Sequence, residues 1–243
     1  MFLQLWHVGR ISDPIYLHGK LPVAPSALAP EGQVNLLRPK KSYVVPRALE
    51  FNEIPEIVED FKVGAKNAKD AGFDGVEIHG ANGYLLNQFL SPASNRRNDC
   101  YGGPVENRAR LLLEVVDAVI SVWGAERVGL HISPGDNSYS VANDESRSTY
   151  EYVVRQVSLR KIGFVCVRES TKACVRHAPA LRKLFEGTFI ANEGFTQITG
   201  KRCSQAAKPT RLRLGVRLLP TRIFPGDSHW APRLTILIRR RFT

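Results

Sequence analysis

Between residues 3 and 191 the sequence alternates short apolar segments with longer amphipathic ones, and this alternation restricts the fold more than any other feature. The short segments are predicted strands, at 3–7, 75–79, 128–132, 164–167 and 188–191. The longer segments repeat apolar residues at helical spacing and are predicted helices, between Asn52 and Gly72 and at 85–90, 106–123, 150–159 and 180–185. Strands that alternate with helices form parallel sheets covered by helices. The sequence therefore predicts an α/β protein.

Length, hydropathy and cysteine spacing narrow the class of protein. A chain of 243 residues is close to the length of a closed (β/α)₈ barrel, which has roughly 250 residues. No apolar run approaches the roughly 20 residues of a membrane-spanning helix. The four cysteines, at positions 100, 166, 174 and 203, show no Cys-x-x-Cys spacing, which favours a reducing compartment. We therefore expect a cytoplasmic protein with no membrane segment and no metal site.

The net charge of +11 is concentrated at one end of the sequence. Residues 197–243 contain two Lys and nine Arg against the single acid Asp227, a net charge of +10, which leaves +1 for residues 1–196. A strongly basic balance usually indicates nucleic acid or an anionic surface as a partner. Here it characterises only a tail without amphipathic order, which is interpreted either as a disordered basic extension or as the product of a shifted reading frame. No nucleic-acid partner is expected.

The most specific motif surrounds the second predicted strand. Residues 73–92 are Phe-Asp-Gly-Val-Glu-Ile-His-Gly-Ala-Asn-Gly-Tyr-Leu-Leu-Asn-Gln-Phe-Leu-Ser-Pro. The strand ends on His79, and Asn82 and Tyr84 follow at spacings that direct three polar side chains into one loop. Parallel α/β barrels carry their chemistry at the carboxyl ends of the strands. The motif therefore predicts a functional site at this edge of the sheet.

This motif and three further segments resemble the old yellow enzyme family of flavin-dependent ene-reductases. The further segments are Gln-Leu-Trp-His-Val-Gly-Arg at 4–10, Asn-Arg-Arg-Asn-Asp-Cys-Tyr-Gly-Gly at 95–103 and Glu-Asn-Arg-Ala-Arg at 106–110. The resemblance implies an incomplete TIM (β/α)₈ barrel over residues 1–196, in which the five predicted strands are the third to the seventh of eight. A one-base shift of suitable codons gives family-like sequence in two stretches of the tail, 197–243. We therefore predict a chain truncated at its amino terminus and frame-shifted after about residue 197.

The resemblance implies an enzyme that binds FMN, takes hydride from NADH or NADPH, and reduces an activated alkene or nitro compound as its small-molecule substrate. His79 and Asn82 would hydrogen-bond the substrate oxygen as in an oxyanion hole. Tyr84 would donate a proton, because a phenol is protonated at neutral pH. Trp6 would line the pocket, with a core tryptophan as the alternative. Outside the motif, the same side chains can be interpreted as a capping histidine, a turn asparagine and a packing tyrosine.

Four residues would contact the cofactor. Gln4 would hydrogen-bond the pyrimidine edge of the flavin through its amide, and backbone amides near Asn192 and Glu193 would form half of the phosphate site. His131 departs from the family, which usually has Arg there, and histidine is shorter and mostly neutral at pH 7.

Two alternative functions are considered. One is an inactive barrel fragment that no longer holds flavin, and the other is a basic nucleic-acid-binding protein. The sequence does not indicate the physiological substrate, the preferred nicotinamide nucleotide or the oligomeric state.

Overall fold

The computed structural model describes residues 1–135, 138–141, 146–169 and 176–192, and the backbone of two strands at 212–215 and 236–240. The strands are β1 (Phe2–Leu5), β2 (Val23–Ala24), β3 (Arg47–Ala48), β4 (Gly75–Gly80), β5 (Val128–Ile132), β6 (Phe164–Arg168), β7 (Thr188–Asn192), β8 (Leu212–Gly215) and β9 (Ile236–Arg240). The α-helices are α1 (Ile54–Asp70), α2 (Leu85–Leu90), α3 (Val105–Arg108), α4 (Arg110–Trp123), α5 (Ser146–Leu159) and α6 (Ala178–Leu184).

Five parallel strands form the body of the main sheet, in the order β1-β4-β5-β6-β7. All five lie where the sequence predicts a strand. The bounds of β5 agree with the prediction, β4, β6 and β7 are each one residue longer, and β1 leaves the sheet after Leu5 rather than at His7. Parallel strands that neighbour each other in chain order and are joined by helices form an arc of an α/β barrel.

Two strands in the basic tail extend this sheet. β9 pairs antiparallel with β7, and β8 pairs antiparallel with β9, so that the described sheet has seven strands. Neither strand was predicted from the sequence, because the tail lacks the strand–helix alternation on which the prediction of strands rests. The run Thr-Ile-Leu-Ile at 235–238 nevertheless combines residue types that favour strands, and an edge strand offers unpaired backbone groups to such a run. The domain division near residue 197 and the shifted reading frame stay predictions.

Helix α1 carries the predicted apolar stripe. Its buried residues are Ile54, Ile57, Phe61, Ala65 and Ala68. Gly72 follows the helix at φ +81°, a left-handed conformation that favours glycine and ends helices. Asn52 does not cap α1, because it lies inside a preceding 3₁₀ turn, Phe51–Glu53, where Glu50 and Glu53 form a capping box.

The helix predicted over 106–123 is divided into α3 and α4 by the single residue Ala109, although its φ of −81° and ψ of −13° stay in the right-handed helical region. The neighbouring Arg108 side chain is buried and donates to the carbonyl oxygens of Leu90 and Gly103. A buried guanidinium must find such acceptors, and these lie outside the helix. The sequence predicts an apolar stripe at residues 112, 113, 116, 119, 120 and 123 of this helix. The stripe of α4 is wider, since Leu111 and Val115 are also buried.

The two faces of the parallel strands differ in chemistry, because successive strand residues point to opposite sides of a sheet. The outer face packs against the helices and is apolar and buried, with Val76, Ile78, Val128, Leu130, Ile132, Val165 and Val167. The inner face carries polar side chains, with Gln4, Glu77, His79, His131, Cys166 and Arg168.

Two phenylalanines close the amino end of the inner face. The rings of Phe2 and Phe164 contact each other edge to face, with centroids 5.4 Å apart. They occupy the space above Gly75 and Gly129, where an added Cβ would lie 2.3 Å from the Phe2 ring and 2.1 Å from the Phe164 ring, respectively. The polar residues of the inner face therefore lie toward the carboxyl ends of the strands. Within the described parts of the chain, no helix is both long and apolar enough to span a membrane.

Candidate active site

The polar side chains of the inner face form a cluster on β1, β4 and β5. The register places Gln4 beside Glu77 and His79 beside His131. Gln4 donates through Nε2 to Glu77 Oε2 at 2.7 Å, and the same nitrogen lies 3.5 Å from His131 Nδ1. The imidazole rings of His79 and His131 meet edge to face, with centroids 5.0 Å apart. Strand pairing thus brings together Gln4, His79 and His131, which were predicted as site residues on three separate strands.

The loop after β4 turns back toward the strand through two left-handed residues. Asn82 has φ 56° and Gly83 has φ 75°, values that asparagine tolerates and glycine favours. The Asn82 N–H donates to Ser133 Oγ at 2.7 Å, and the Gly83 N–H donates to Asn87 Oδ1 at 2.8 Å. A Cβ on Gly83 would lie 2.5 Å from the carbonyl oxygen of Ser138. The loop conformation therefore requires glycine at 83 and is fixed by its neighbours.

Asn82 and His79 bring two nitrogen atoms close together. Nδ2 of Asn82 lies 3.5 Å from Nε2 of His79, and Oδ1 of Asn82 accepts a hydrogen bond of 2.7 Å from Nη1 of Arg168. With Oδ1 turned toward the guanidinium, the amide nitrogen faces the imidazole. A ligand oxygen beside both nitrogens could accept from each when the proton of His79 is on Nε2. The geometry suits the substrate-binding role predicted for this pair, and that role stays a prediction.

Aromatic rings line the approach to this pair. Trp6 contacts the rings of Tyr84 and His79, with centroids 4.7 Å and 5.4 Å apart. Tyr84 lies 5.4 Å from the His79 ring and 5.9 Å from the ring of Tyr139. Because 52% of Trp6 is exposed, it lies at the wall of the inner face and is not a core tryptophan.

Burial keeps both histidines of the cluster neutral. His79 and His131 are 5% and 8% exposed. Burial, followed by the charge of Arg168, lowers the pKa of His79 from 6.5 to about 4. Burial, followed by His79 and Arg168, lowers the pKa of His131 from 6.5 to about 3. Both imidazoles are therefore uncharged at pH 7, since desolvation disfavours the charged form.

Burial also favours the protonated form of the neighbouring acids. It raises the pKa of Tyr84 to about 12, with Tyr139 as the second cause, so the phenol keeps its proton at neutral pH. It raises the pKa of the Glu77 carboxyl, against the hydrogen bond from Gln4 that lowers it. Burial and then Glu77 raise the pKa of the Cys166 thiol. Desolvation is thus the main electrostatic influence on the inner face.

Two buried nitrogen atoms in the cluster have no hydrogen-bond partner among the residues that the structure describes. They are Nδ1 of His79 and Nε2 of His131. Buried polar atoms are nearly always hydrogen-bonded, so these nitrogens and the adjacent Gln4 amide mark the place where a polar ligand would complete the site. A flat heteroaromatic ring with donors and acceptors along its edge, such as the isoalloxazine of FMN, matches this set of groups.

The predicted phosphate site is described only in part. Asn192 is the last residue of β7 and pairs with Arg168 of β6, and its carbonyl oxygen accepts the N–H of Glu169 at 3.3 Å. Glu193 lies outside the described residues. Both assignments stay predictions. Over the described ranges, no group of three His, Cys, Asp or Glu side chains is placed to hold a metal ion.

Comparison with known proteins identifies the family. Residues 1–165 match the sequence profile of the NADH:flavin oxidoreductase / NADH oxidase family, which is more than half of the chain. The chain belongs to this family. The predicted membership of the old yellow enzyme family is thereby confirmed, since these flavin oxidoreductases include the old yellow enzymes.

Curated relatives of this flavin oxidoreductase family member are longer proteins. Putative 12-oxophytodienoate reductase 5 from Oryza sativa subsp. japonica is 40% identical over 210 residues, which cover 82% of this chain and 54% of the relative. 12-oxophytodienoate reductase 2 from Arabidopsis thaliana is 39% identical over 217 residues, which cover 82% of this chain and 56% of the relative. The chain thus spans about half the length of the curated relatives that it matches.

Solved structures of the family have the same fold. The old yellow enzyme homologue from Zymomonas mobilis superposes with a TM-score of 0.80 at 35% identity, over 84% of this chain and 59% of that one. Morphinone reductase in complex with tetrahydroNAD superposes with a TM-score of 0.79 at 39% identity, over 84% and 58% of the two chains. The predicted incomplete (β/α)₈ barrel is therefore confirmed.

Three residues of this candidate site were not predicted from the sequence: Glu77, Arg168 and Tyr139. Glu77 had a usable signal, because it lies two residues before His79 on a strand and must share its face. Arg168 was missed because the predicted strand stopped one residue short. Tyr139 had no local signal, since it lies in a loop that Arg10 holds by donating to its carbonyl oxygen at 2.7 Å.

Proposed function

We propose that the chain acts as an FMN-dependent NAD(P)H oxidoreductase that reduces activated alkenes or nitro compounds. The observation that carries the proposal is the 3.5 Å separation of Asn82 Nδ2 and His79 Nε2 at the carboxyl edge of the sheet. Two N–H donors directed at one substrate oxygen would stabilise the negative charge that develops there when hydride reaches the alkene. The hydride would come from bound FMN, which NADH or NADPH would have reduced.

Tyr84 would complete the reduction by donating its phenolic proton to the substrate carbon next to the activating group. Its pKa of about 12 keeps the hydroxyl protonated at neutral pH, and the developing carbanion is a strong enough base to take that proton. Trp6 lies against the Tyr84 ring with centroids 4.7 Å apart, so it would restrict the positions that the ring can adopt and form one wall of the substrate site.

Gln4 and His131 would hold the pyrimidine edge of FMN. One N–H of the Gln4 amide donates to Glu77 at 2.7 Å, which leaves its second N–H and its carbonyl oxygen for the flavin edge. Neutral His131 would contribute a hydrogen bond through Nε2 rather than a charge. Backbone amides near Asn192 and Glu193 would hold part of the phosphate. The assignment of His131 is supported by its buried Nε2, which has no partner in the described residues.

We further propose a cytoplasmic location, a small-molecule substrate and no nucleic-acid partner. Cys100 and Cys166 are free thiols, which is compatible with a reducing compartment. The excess positive charge belongs to residues 197–243, whereas the site residues from Gln4 to Asn192 precede it. A steep dependence of DNA affinity on salt concentration would contradict the absence of a nucleic-acid partner.

A second candidate is an inactive protein that retains these side chains but does not hold FMN. His131 favours it, because the family resemblance implies Arg at this position and a buried neutral imidazole supplies no positive charge to the cofactor. FMN binding by the purified chain distinguishes the two candidates.

The first experiment titrates the full chain with FMN and follows the quenching of flavin fluorescence. We expect saturable binding of one FMN per chain, and a lack of binding would favour the inactive protein. In the FMN-loaded protein, Tyr84→Phe should slow the reduction of a cyclic enone by about a hundredfold, a typical contribution of a general acid. Reduction of the flavin by NADPH should remain nearly unchanged, because that step uses no phenolic proton.

The matched control is Tyr16→Phe, which removes the same hydroxyl from a 47%-exposed tyrosine. Its enone turnover should equal that of the unmodified protein. Unchanged enone turnover in Tyr84→Phe would exclude Tyr84 as the proton donor, and equal losses in both variants would show a nonspecific effect.

A further inference from the structure

Arg168 brings a positive charge to the carboxyl edge of the inner face. It is the last residue of β6, in which Val165 and Val167 are buried on the outer face. Alternation therefore directs Arg168, like Cys166, to the inner face. A guanidinium carries a permanent charge and presents only hydrogen-bond donors. At this edge it can therefore orient neighbouring hydrogen-bond acceptors and attract negatively charged groups.

The guanidinium determines which way the Asn82 amide points. Nη1 of Arg168 donates to Oδ1 of Asn82 at 2.7 Å. Because a guanidinium cannot accept a hydrogen bond, the amide oxygen must face it and the amide nitrogen must face away, toward His79. The Asn82 backbone is held separately, by its hydrogen bond to Ser133 Oγ. The loop therefore fixes the place of Asn82, and Arg168 fixes its orientation.

We propose that Arg168 is a positioning residue of the site, which turns the Asn82 amide so that its nitrogen and His79 address one ligand oxygen, and which supplies the positive charge beside that oxygen. The inference rests on the proposed function and adds to it a residue on a third strand. It predicts that the site favours ligands whose activating oxygen carries or acquires negative charge, such as the carbonyl of an enone or the nitro group of a nitroalkene.

The charge of Arg168 also acts on both imidazoles. Among the described residues, the other titratable groups around His79 and His131 are Glu77 and Tyr84 from β4 and its loop and Cys166 from β6. These groups are acids and carry no positive charge. Burial is the largest cause of the lowered pKa of both histidines, and the positive charge of Arg168 lowers it further. Titration of the imidazoles therefore reports on Arg168 without any flavin or turnover.

Three substitutions separate its two effects. Arg168→Met removes both the hydrogen bond and the charge, Arg168→Gln keeps an N–H donor without charge, and Arg168→Lys keeps the charge. The readouts are the side-chain amide signals of Asn82 and the histidine titrations, followed by NMR of the full, isotope-labelled chain without FMN. Arg147→Gln is the control, since it removes a guanidinium whose side chain is 68% exposed and paired with Glu151.

In Arg168→Met we expect the Asn82 amide signals to move and the pKa values of His79 and His131 to rise, while staying below 6.5 because burial is the larger cause. Arg168→Gln should raise both pKa values and displace the Asn82 signals less. Arg168→Lys should keep both pKa values low, and Arg147→Gln should change neither readout. Unchanged Asn82 signals together with unchanged histidine titrations in Arg168→Met would overturn the proposal. Should that variant not fold, the same comparison between Arg168→Gln and Arg168→Lys decides it.

A second measurement uses the FMN-loaded protein and a cyclic enone as the probe. Arg168→Met should weaken enone binding roughly tenfold, the effect of losing one hydrogen bond to a charged group, and Arg168→Lys should recover part of that affinity. Equal enone affinity in all variants would contradict the positioning role. If the chain binds no FMN, the proposed function fails while the NMR comparison still tests Arg168, so the two failures are distinguishable.

Discussion

The outer and inner faces of the parallel sheet are built from alternate residues of the same strands, yet different interactions stabilise them. On β5, Leu130 is fully buried against helices, whereas the adjacent His131 contacts Gln4 and His79. The outer face gains stability from apolar burial, at about 25 cal/mol per Å². The inner face buries polar groups, and each of these is costly unless a partner satisfies it.

The comparison shows where this chain keeps polar groups at the expense of stability. Nδ1 of His79 and Nε2 of His131 are buried without a partner among the described residues. Apolar side chains at these positions would avoid that desolvation cost, as they do one residue away on the outer face. A ligand that accepts from or donates to these nitrogens would offset the cost, as the proposed site at this edge of the sheet requires.

The largest expected effect is on the outer face. Leu130→Ala should lower the free energy of unfolding by about 2–5 kcal/mol, because it leaves a cavity among packed side chains. The measurement is urea denaturation followed by circular dichroism. Leu159→Ala, at a position that is 76% exposed, is the control and should change the stability by less than about 0.5 kcal/mol. Similar losses in both variants would show that the outer face is not a packed core.

A smaller effect is expected at the glycines of the inner face. Gly129→Ala places a Cβ 2.1 Å from the Phe164 ring and should destabilise the protein by about 1–3 kcal/mol through overpacking. Gly64→Ala is the matched control, since its Cβ would meet Leu5 at 3.4 Å, an ordinary contact, inside α1. The control should be stabilising by up to about 1 kcal/mol, because alanine favours helix over glycine. A neutral Gly129→Ala would mean that the Phe164 ring is not held above the strand.

Acid should lower the stability of the protein through the histidines of the inner face. The folded pKa values of His79 and His131, about 4 and about 3, lie below the ordinary 6.5, so the unfolded chain binds more protons between these values. Stability should therefore fall as the pH decreases from 6.5 toward 4, because protonation of these histidines favours the unfolded chain. His7, whose pKa burial also lowers, adds to the slope.

The test is the urea midpoint between pH 7 and 4.5 in the unmodified protein and in His131→Gln. The variant cannot titrate at this position, so its stability should depend less steeply on pH. An identical slope in the two proteins would show that His131 is as accessible to protons in the folded state as in the unfolded chain.

The smallest expected effect is at the surface of α1. Lys66 and Asp70 form an i,i+4 ion pair with an N–O distance of 2.6 Å, and their side chains are 67% and 61% exposed. Asp70→Asn should reduce the stability by at most about 0.5 kcal/mol, and 1 M NaCl should abolish the difference by screening. A larger, salt-independent loss would indicate that Asp70 has a structural role beyond this pair.

The sequence by itself determined the elements of the parallel sheet and its helices. Apolar periodicity identified β4, β5, β6 and β7 to within one residue and the stripes of α1 and α4, because burial of an apolar face imposes a local, periodic pattern. The motif after the second predicted strand also identified His79, Asn82 and Tyr84 as a group, since they are close in sequence and lie at or just after the end of that strand. The pairing of β8 and β9 was not predictable from alternation, because it depends on the free edge that β7 offers.

The tertiary structure decided how residues far apart in sequence act on one another. The hydrogen bond from Arg168 to Asn82, the approach of Gln4 to His131, and the contact of Tyr139 with Tyr84 each join different segments of the chain. No local pattern encodes these contacts, because strand register and loop packing set their distances. The lowered pKa values of His79 and His131 depend on the same neighbours and on burial. Gln4, His79, Asn82, Tyr84 and His131 were therefore recognisable in the sequence, whereas the approach of Arg168 and Tyr139, and the orientation and electrostatics of the whole cluster, were not.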